Sequence, residues 1–302
     1  MTTRRRFLAI SAAAFAAPHA AFAQPLHVWQ GTALGAQATL HLAHPDAAAI
    51  SARVATEISR LEDVFSLYRP ESALSQLNRR GSLQAPPFEL LECLSLAGAV
   101  HGASGGRFDP TIQPLWASYA EASALGSAPD QTSIEAARAF IGWERVTLDA
   151  AAVTMAPGMA ITLNGIAQGY IADRVADLLA AEGLTDILIN TGEFRALGGR
   201  PGGGAWPVKL AAGGEVELAT RALATSAPLG TSFDEAAQLG HILDPVTGTP
   251  TRAGWREITI SARSAGLADA LSTAACLFRT RAEIEACLAS FDGAALEAIT
   301  PA

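Results

Sequence analysis

Apolar residues recur at helical spacing in several segments of the chain. The clearest stripe runs from Ile50 to Leu61, where an apolar residue returns every three or four positions, and it predicts a helix over residues 47–64. A second helix, over residues 88–102, is predicted to end at the glycine pair that follows Ser104. Further helices are predicted over residues 165–182, from Ala268 onwards, and after Arg281, where a last strand follows.

Alternating apolar and polar positions predict short strands between these helices. The segment Ala36–Leu42 alternates, whereas residues 187–189 form an uninterrupted apolar run that is typical of a buried strand. Other strands are predicted at residues 145–148 and 153–156 (a hairpin), 206–210, 216–218, 222–224 and 257–260, with loops at 66–78 and 198–204. Because strands and helices mix without regular β-α-β alternation, the pattern favours an α+β fold over a doubly wound sheet.

The first 23 residues are typical of a targeting segment. Residues 3–8 read TRRRFL, a twin-arginine signature, and a short apolar run and the small-residue site AFA at 21–23 follow. The apolar run is too short for a permanent membrane anchor. We therefore predict a twin-arginine signal peptide over residues 1–23 and one domain over residues 24–302, exported to the periplasm as a soluble protein that is not itself transmembrane.

Charge and cysteine content narrow the choice of partners. The formal net charge is −8, and removing the three signal-peptide arginines makes it −11. Lys209 is the only lysine, so we expect neither nucleic acid nor anionic lipid as a partner, because phosphate contacts need clustered basic residues. Cys93, Cys276 and Cys287 are widely spaced and odd in number, so we expect buried thiols and not a disulfide framework or a zinc site.

Two segments near the C-terminus carry the most chemical information. Residues 240–248 read GHILDPVTG, a turn that presents His241 and Asp244 together. Residues 268–273 read ADALST, and the four-residue spacing places Asp269 and Thr273 on one face of a helix. A carboxylate and a hydroxyl so arranged suit a hard cation such as Mg²⁺ that carries phosphate. Each of these signals is weak by itself. His241 could be a structural histidine, Asp244 part of an ordinary turn, and Asp269 an acid that complements the helix dipole.

Three earlier segments add weaker signals. Tyr68 opens a polar loop (YRPES), and its ring could stack on a planar ligand. An ordinary turn between helices would explain this segment as well. Residues 105–111 read GGRFDPT. Phe108 and the backbone amides here could line a slot for an aromatic ring system, or the segment could simply end a helix and form a turn. Residues 162–170 read TLNGIAQGY and open a helix, whose free N–H groups favour an anion and whose Gly165 permits a close approach. Simple capping by Asn164 is the alternative.

Read together and in order, these segments resemble the ApbE family, the FAD:protein FMN transferases. That family shows a Tyr-Arg-Pro-x-Ser loop, a Gly-x-Phe-Asp-x-Thr segment, an Asp-Leu-Gly-Gly-Ile-Ala-Lys-Gly-Tyr helix start and a Gly-Gly-Glu strand end. A His-x-Ile-Asp-Pro-x-Thr-Gly turn and an Ala-Asp-Ala-Leu-Ala-Thr helix follow. All six have counterparts here between Leu34 and Phe278. The resemblance implies a T-fold-like α+β architecture of mixed or antiparallel sheets with packed helices.

The resemblance also implies a reaction and its residues. FAD is cleaved with Mg²⁺, AMP leaves, and FMN becomes linked to a threonine on an acceptor domain of a membrane-bound respiratory protein. His241 would deprotonate that threonine, with Asp244 shaping the turn. The implied metal ligands are Gly165, Asp269 and Thr273. The implied FAD-binding positions are Leu34, Tyr68, Arg107, Phe108, Asp109, Thr162, Gln168, Glu193 and Leu243.

Three departures from the family pattern keep other functions open. Thr162 replaces an aspartate, Gln168 replaces a lysine, and Asn190-Thr-Gly-Glu193 replaces the Gly-Gly-Glu strand end. The variant helix start resembles NosX-like members, which serve nitrous-oxide respiration. Weakened metal or phosphate binding would leave an FAD-binding accessory protein without turnover. Water in place of threonine would give an FAD pyrophosphatase that releases FMN and AMP.

Overall fold

The computed structural model describes residues 25–302, so the predicted signal peptide lies outside the described residues. Within that range the helices are α1 (Ala47–Phe65), α2 (Ala73–Arg80), α3 (Phe88–Ala103), α4 (Gln113–Ala124), α5 (Gln131–Arg138), α6 (Ala167–Ala181), α7 (Ala265–Ala275) and α8 (Arg281–Leu288). The strands are β1 (His27–Ala33), β2 (Ala36–Leu42), β3 (Ser82–Gln84), β4 (Val146–Leu148), β5 (Ala152–Met155), β6 (Ile187–Asn190), β7 (Phe194–Leu197), β8 (Trp206–Lys209), β9 (Glu215–Leu218), β10 (Ala222–Ser226), β11 (Trp255–Ala262) and β12 (Ala295–Pro301).

One large antiparallel sheet organises the molecule. Its seven strands run in the order β1-β2-β6-β7-β10-β11-β12, and every neighbouring pair is antiparallel. Two small antiparallel sheets, β3-β5-β4 and β8-β9, accompany it. The predicted α+β class with antiparallel sheets and packed helices is therefore confirmed.

The large sheet is covered on both faces, which explains its apolar strands. Ile187 and Ile189 point into the main core with the helices, whereas Leu188 packs with Trp206 and Val208 of the β8–β9 hairpin. Because successive side chains of a strand point to opposite faces, a strand buried on both sides needs an unbroken apolar run. The predicted buried strand at residues 187–189 is confirmed and extends to Asn190.

A third, smaller cluster stands apart from the main core. Leu115 and Tyr119 of α4 and Ile134 of α5 pack around Leu243, which lies in the loop between β10 and β11. The α4–α5 pair thus forms a support for that loop. The sequence interpretation missed both helices and also missed α2, β1, β3 and β7.

Helix ends depend on caps that the periodicity did not reveal. The segment predicted as a loop at 66–78 contains the start of α2, whose N-cap is Ser72 and whose C-cap is Gly81 in the left-handed region (φ 69°). Helix α7 begins at Ala265, three residues before the predicted start, because the Ser264 side chain accepts from Leu267 N. Across residues 25–302, no helix combines the length and hydrophobicity that a membrane crossing requires.

Candidate functional site

Helix α7, which carries Asp269 and Thr273, is anchored to α6 at its first turn. The carboxylate of Asp173 on α6 accepts hydrogen bonds from Ala265 N and Gly266 N, both at 2.8 Å. Arg195 Nε lies 3.2 Å from the same carboxylate. Burial nevertheless raises the pKa of Asp173 to about 6. Asp173 thus satisfies the free N–H groups of α7 and fixes the helix that presents the candidate metal ligands.

Asp269 is buried against the first turn of α6. It is 4% exposed, and its Oδ2 accepts a hydrogen bond of 3.2 Å from Gly169 N. A Cβ on Gly169 would overlap the carbonyl oxygen of Ala265, so only glycine lets α6 and α7 approach this closely. Burial raises the pKa of Asp269 to about 7, and the negative charge of Asp173 adds to the rise.

Thr273 lies one turn further along α7 and meets two other parts of the site. Its Oγ1 is 3.3 Å from Ser226 Oγ at the end of β10, and Ser226 Oγ is 2.7 Å from Ser272 Oγ. A Cβ on Gly165 would lie 3.0 Å from Thr273 Oγ1, so the glycine backbone packs directly against this hydroxyl. The structure therefore brings Gly165 and Thr273 together, and it adds Ser226, which the sequence interpretation missed.

Glu193, predicted as an FAD-binding position, lies beside this group. It sits in the turn between β6 and β7, is 9% exposed, and accepts a hydrogen bond of 3.1 Å on Oε2 from Thr225 N. Burial raises the pKa of Glu193 well above its ordinary value, and the charge of Asp269 raises it further. No sequence signal brings the turn of Glu193 to α6, because their contact, from Thr191 Oγ1 to Gln168 O at 2.7 Å, depends on how the sheet packs against the helices.

These residues fit a hard divalent cation. Asp269 and Glu193 are buried carboxylates, and neither takes part in any ion pair formed within residues 25–302. The Thr273 hydroxyl adds a neutral oxygen close by. Mg²⁺ takes oxygen ligands, often one or two carboxylates together with substrate phosphate. In the described part of the chain no cluster of three His, Cys, Asp or Glu side chains could hold a metal, so substrate oxygens would complete such a site.

The two departures at the start of α6 make separate contacts. Thr162 N donates to Pro110 O at 2.8 Å, and Thr162 Oγ1 accepts from Asn164 N at 3.2 Å. The Gln168 side chain lies over Gly192, where a Cβ would be 2.8 Å from its Oε1, and Gly192 has a φ of 108°. Gln168 therefore places a neutral amide next to the turn that carries Glu193.

The segment 105–111 lies at the end of α3 and reaches α7. Phe108 is buried in the main core, and its N–H donates to Ser104 Oγ at 3.0 Å. Asp109 Oδ1 accepts from Thr111 N and Thr111 Oγ1, at 2.8 and 2.6 Å, so it caps a short 3₁₀ turn. Arg107 Nη1 donates to Leu277 O at 3.1 Å, and its guanidinium lies 5.1 Å from the centre of the Phe278 ring.

Leu34 and Tyr68 belong to two loops that a single carboxylate connects. Leu34 lies in the tight β1–β2 turn with a φ of 48°, and its N–H donates to Glu62 Oε1 at 2.8 Å. Glu62 also pairs with Arg69, the neighbour of Tyr68. Tyr68 is 61% exposed at the surface.

His241 lies in the loop between β10 and β11. Its Nδ1 is 2.9 Å from Thr231 O, which fixes the proton of the neutral ring on Nδ1 and leaves Nε2 as the basic nitrogen. Burial lowers the pKa of His241, and the carbonyls of Thr231 and Pro228 only partly oppose this. The imidazole is therefore neutral near pH 7, as a general base must be.

Asp244 closes the turn that follows His241. Its Oδ1 accepts from Val246 N at 2.8 Å and from Thr247 N at 3.3 Å, a side-chain-to-backbone turn. Arg138 of α5 donates to the carbonyls of Pro245 and Val246. Leu243, at the start of the turn, is buried in the α4–α5 cluster. The sequence interpretation did not identify Arg138 as an anchor of this turn.

The His241 loop is tied to α7 through Thr251. Thr251 N donates to Ile242 O at 2.9 Å, and Thr251 Oγ1 donates to Cys276 O at 2.8 Å. Cys93, Cys276 and Cys287 are free and buried, so the expectation of thiols without disulfides is confirmed. A shallow cavity near His44, Thr185 and Asp186 lies at the opposite end of α6 and brings none of the predicted site residues together.

Comparisons with known proteins support one family. The sequence model of the ApbE family matches residues 32–296. The FAD:protein FMN transferase of Vibrio cholerae serotype O1 is 28% identical over 271 residues, which cover 83% of this chain and 80% of that protein. The protein of the same name from Klebsiella pneumoniae is 30% identical over 220 residues, 67% of each chain.

Solved structures give the same result for the fold. The apo flavinyl transferase ApbE of Pseudomonas stutzeri superposes with a TM-score of 0.79 at 25% identity, and covers 90% of this chain and 89% of its own. The ApbE protein of Thermotoga maritima superposes with a TM-score of 0.78 at 25% identity, over 92% of this chain and 97% of its own.

Proposed function

The chain belongs to the ApbE family, and from that membership we propose that it is an FAD:protein FMN transferase that acts on a threonine of a periplasmic acceptor domain. The observation that carries the proposal is the group formed by the buried Asp269, the half-buried Thr273 and the Gly165 backbone just before α6. Buried oxygen ligands of this kind suit a cation that binds a pyrophosphate, the bond that must break in FAD.

The proposed reaction is a phosphoryl-group transfer. The threonine Oγ forms a bond to the phosphorus of the FMN half of FAD, and the bond from that phosphorus to the bridging oxygen breaks. AMP leaves with the bridging oxygen, and the threonine proton passes to Nε2 of His241. The products are an FMN phosphoester on the acceptor and free AMP.

Each part of the chain has a distinct task in this proposal. Asp269, Thr273 and the Gly165 carbonyl hold Mg²⁺, which when bound neutralises charge on the pyrophosphate. His241 accepts the threonine proton, and Asp244 holds the turn that presents the imidazole. FAD binding is assigned in this proposal to the following positions: Leu34, Tyr68, Arg107, Phe108, Asp109, Thr162, Gln168, Glu193 and Leu243.

We further propose that the acceptor belongs to a membrane-bound respiratory flavoprotein, and that the enzyme reaches it in the periplasm. The twin-arginine signature in residues 3–8 supports export, and the likeness to NosX-like members supports a partner in nitrous-oxide respiration. The domain boundary at residues 23/24 is part of this proposal.

The test is incubation of the chain from residue 24 onwards with FAD, Mg²⁺ and a flavin-free periplasmic acceptor domain, followed by intact mass of the acceptor and chromatography of the nucleotides. The expected result is a mass gain of one FMN with AMP release, both abolished by EDTA. Bound, intact FAD without labelling would instead support the accessory protein. FMN and AMP without labelling would support the pyrophosphatase, and either outcome contradicts the transferase.

A further inference from the structure

Glu193 is buried more deeply than its hydrogen bonding accounts for. It is 9% exposed and receives one hydrogen bond, from Thr225 N to Oε2 at 3.1 Å. Within residues 25–302 no basic side chain pairs with it. A buried carboxylate is ordinarily paired or bound to a metal, because an unpaired buried charge is strongly unfavourable.

Asp269 is also a buried carboxylate without a basic partner. It is 4% exposed, and within residues 25–302 its carboxylate accepts one hydrogen bond, from Gly169 N. The turn that carries Glu193 is held to α6 by Thr191 Oγ1, which donates to Gln168 O at 2.7 Å, and the next residue of α6, Gly169, is the donor to Asp269. These two buried carboxylates can both be ionised only beside a positive charge, and the amide of Gln168 beside Gly192 does not supply one.

The contacts around Glu193 lead directly to Thr273. Glu193 holds Thr225 N at the end of β10, and the next residue, Ser226, places its hydroxyl 3.3 Å from Thr273 Oγ1. Glu193 and Thr273 therefore both contact the end of β10, through the adjacent residues Thr225 and Ser226.

We propose that Glu193 is part of the cation site and shares the ion with Asp269, so that Mg²⁺ supplies the positive charge that the surrounding chain lacks. This inference rests on the metal site of the proposed function and adds a carboxylate to it. Binding of the ion then stabilises the fold as well as the substrate, because a ligand that binds only the folded state adds to its stability.

The variant Glu193→Gln tests whether the negative charge of Glu193 contributes to cation binding, because glutamine has nearly the same shape. Glutamine keeps a carbonyl oxygen for Thr225 N and removes the negative charge. Mn²⁺, whose free form is counted by electron paramagnetic resonance, is titrated with and without FAD. The expected result is a loss of Mn²⁺ affinity of about 10–100-fold, the range typical of removing a supporting group at a metal site. Asp177→Asn, which neutralises an exposed carboxylate on α6, is the matched control and should bind as the wild type does.

Thermal melting gives a second readout. In EDTA the Glu193→Gln variant should melt at or above the wild-type temperature, and Mg²⁺ should raise its Tm less than it raises that of the wild type. A purely structural role predicts the reverse, a lower Tm in EDTA with unchanged Mn²⁺ affinity, and that outcome overturns the inference. Should Glu193→Gln fail to fold, Glu193→Asp, which keeps the charge, must retain more Mn²⁺ affinity than Glu193→Ala.

The outcomes separate this inference from the proposed function. Unchanged Mn²⁺ affinity in Glu193→Gln, with acceptor labelling intact in the wild type, overturns the role of Glu193 alone. Mn²⁺ binding that needs Glu193, in a protein that labels no acceptor, supports the cation site and contradicts the transferase. A wild type that binds no Mn²⁺ with or without FAD overturns both.

Discussion

The two halves of the candidate site are built differently. The half that carries Asp269 and Thr273 lies on regular elements, α6, α7 and the end of β10, whose apolar residues belong to the main core. The half that carries His241 lies in the long β10–β11 loop, where only isolated bridges such as Leu243–Pro250 occur, and it rests on the α4–α5 cluster.

This difference suits the tasks that the proposed reaction gives to each half. A cation and a pyrophosphate are held most strongly where water is excluded, so their ligands belong on rigid, buried elements. A general base must meet the hydroxyl of a second protein, so it belongs on an accessible loop. We therefore expect changes in the buried half to affect binding, stability and turnover together, and changes in the loop to affect turnover alone.

The largest effect is expected from Asp269→Ala. Loss of the buried carboxylate removes the main charged ligand of the proposed Mg²⁺ site, which contributes several kcal/mol to transition-state stabilisation, so transfer should fall by roughly 10³-fold or more. Single-turnover labelling of the acceptor measures this. Asp177→Asn, on the exposed side of α6, is the control, and undiminished labelling by Asp269→Ala would remove the metal half from the mechanism.

The second largest effect on labelling is expected from His241→Gln. Loss of the general base should lower the labelling rate by about 10²–10⁴-fold. Because the loop is separate from the metal half, Mn²⁺ and FAD affinities and the Tm should stay at wild-type values. Equal losses of affinity and rate would show that the two halves are not independent.

The pH dependence of labelling reports on the same imidazole. Burial lowers the pKa of His241, so the basic form persists below the ordinary value of 6.5 and is lost only at more acidic pH. At saturating Mg²⁺, which would keep Asp269 ionised, the rate should therefore be level near pH 7 and decline only below the ordinary histidine value, as the ring becomes protonated. In His241→Gln this acidic decline should be absent, and its persistence would assign the titration to another group.

Arg138→Ala should have a smaller effect that is confined to the loop. Arg138 donates to the carbonyls of Pro245 and Val246, so its removal should loosen the turn beside His241 and lower the rate about tenfold, within the range for a misplaced catalytic group. Arg145→Ala is a close control, because Arg145 donates to Ala139 O and Ile141 O nearby and does not contact the turn. Similar rates for both variants would contradict a positioning role for Arg138.

The smallest effect concerns stability and is expected at Val246. This residue is 64% exposed on the turn, so Val246→Ala should change the free energy of unfolding by no more than about 0.5 kcal/mol. Leu271→Ala, at a buried position of α7, should cost about 2–5 kcal/mol. Urea denaturation of the two variants compares the halves directly, and equal losses would refute the contrast in packing.

Local patterns in the sequence predict many of the helices and strands but not the α4–α5 pair that packs against the β10–β11 loop. The predicted helices at 47–64 and 88–102 and the hairpin of β4 and β5 are confirmed, because each has a clear period of its own. Helices α4 and α5 were missed because they have few buried residues, too few to form a clear periodic pattern. These residues, Leu115, Tyr119 and Ile134, are buried by packing around Leu243, which is distant in sequence.

The candidate site also has a part that the sequence predicts and a part that it does not. The spacing of Asp269 and Thr273 fixes their common helical face, and the structure places Gly165 against Thr273. The contact of the Glu193 turn with α6, the contact of Ser226 with Thr273 and the anchoring of α7 by Asp173 join segments far apart in sequence. No local period encodes such contacts, so they emerge only from the folded arrangement.

The most direct test of the account is a single-turnover reaction of the wild-type chain with FAD, Mg²⁺ and the acceptor domain near neutral pH, in which labelled acceptor and free AMP are measured in the same samples. The account predicts that both rise at one rate and in equal molar amounts, and that EDTA stops both. AMP that forms without labelled acceptor, or FAD that stays intact throughout, would contradict it.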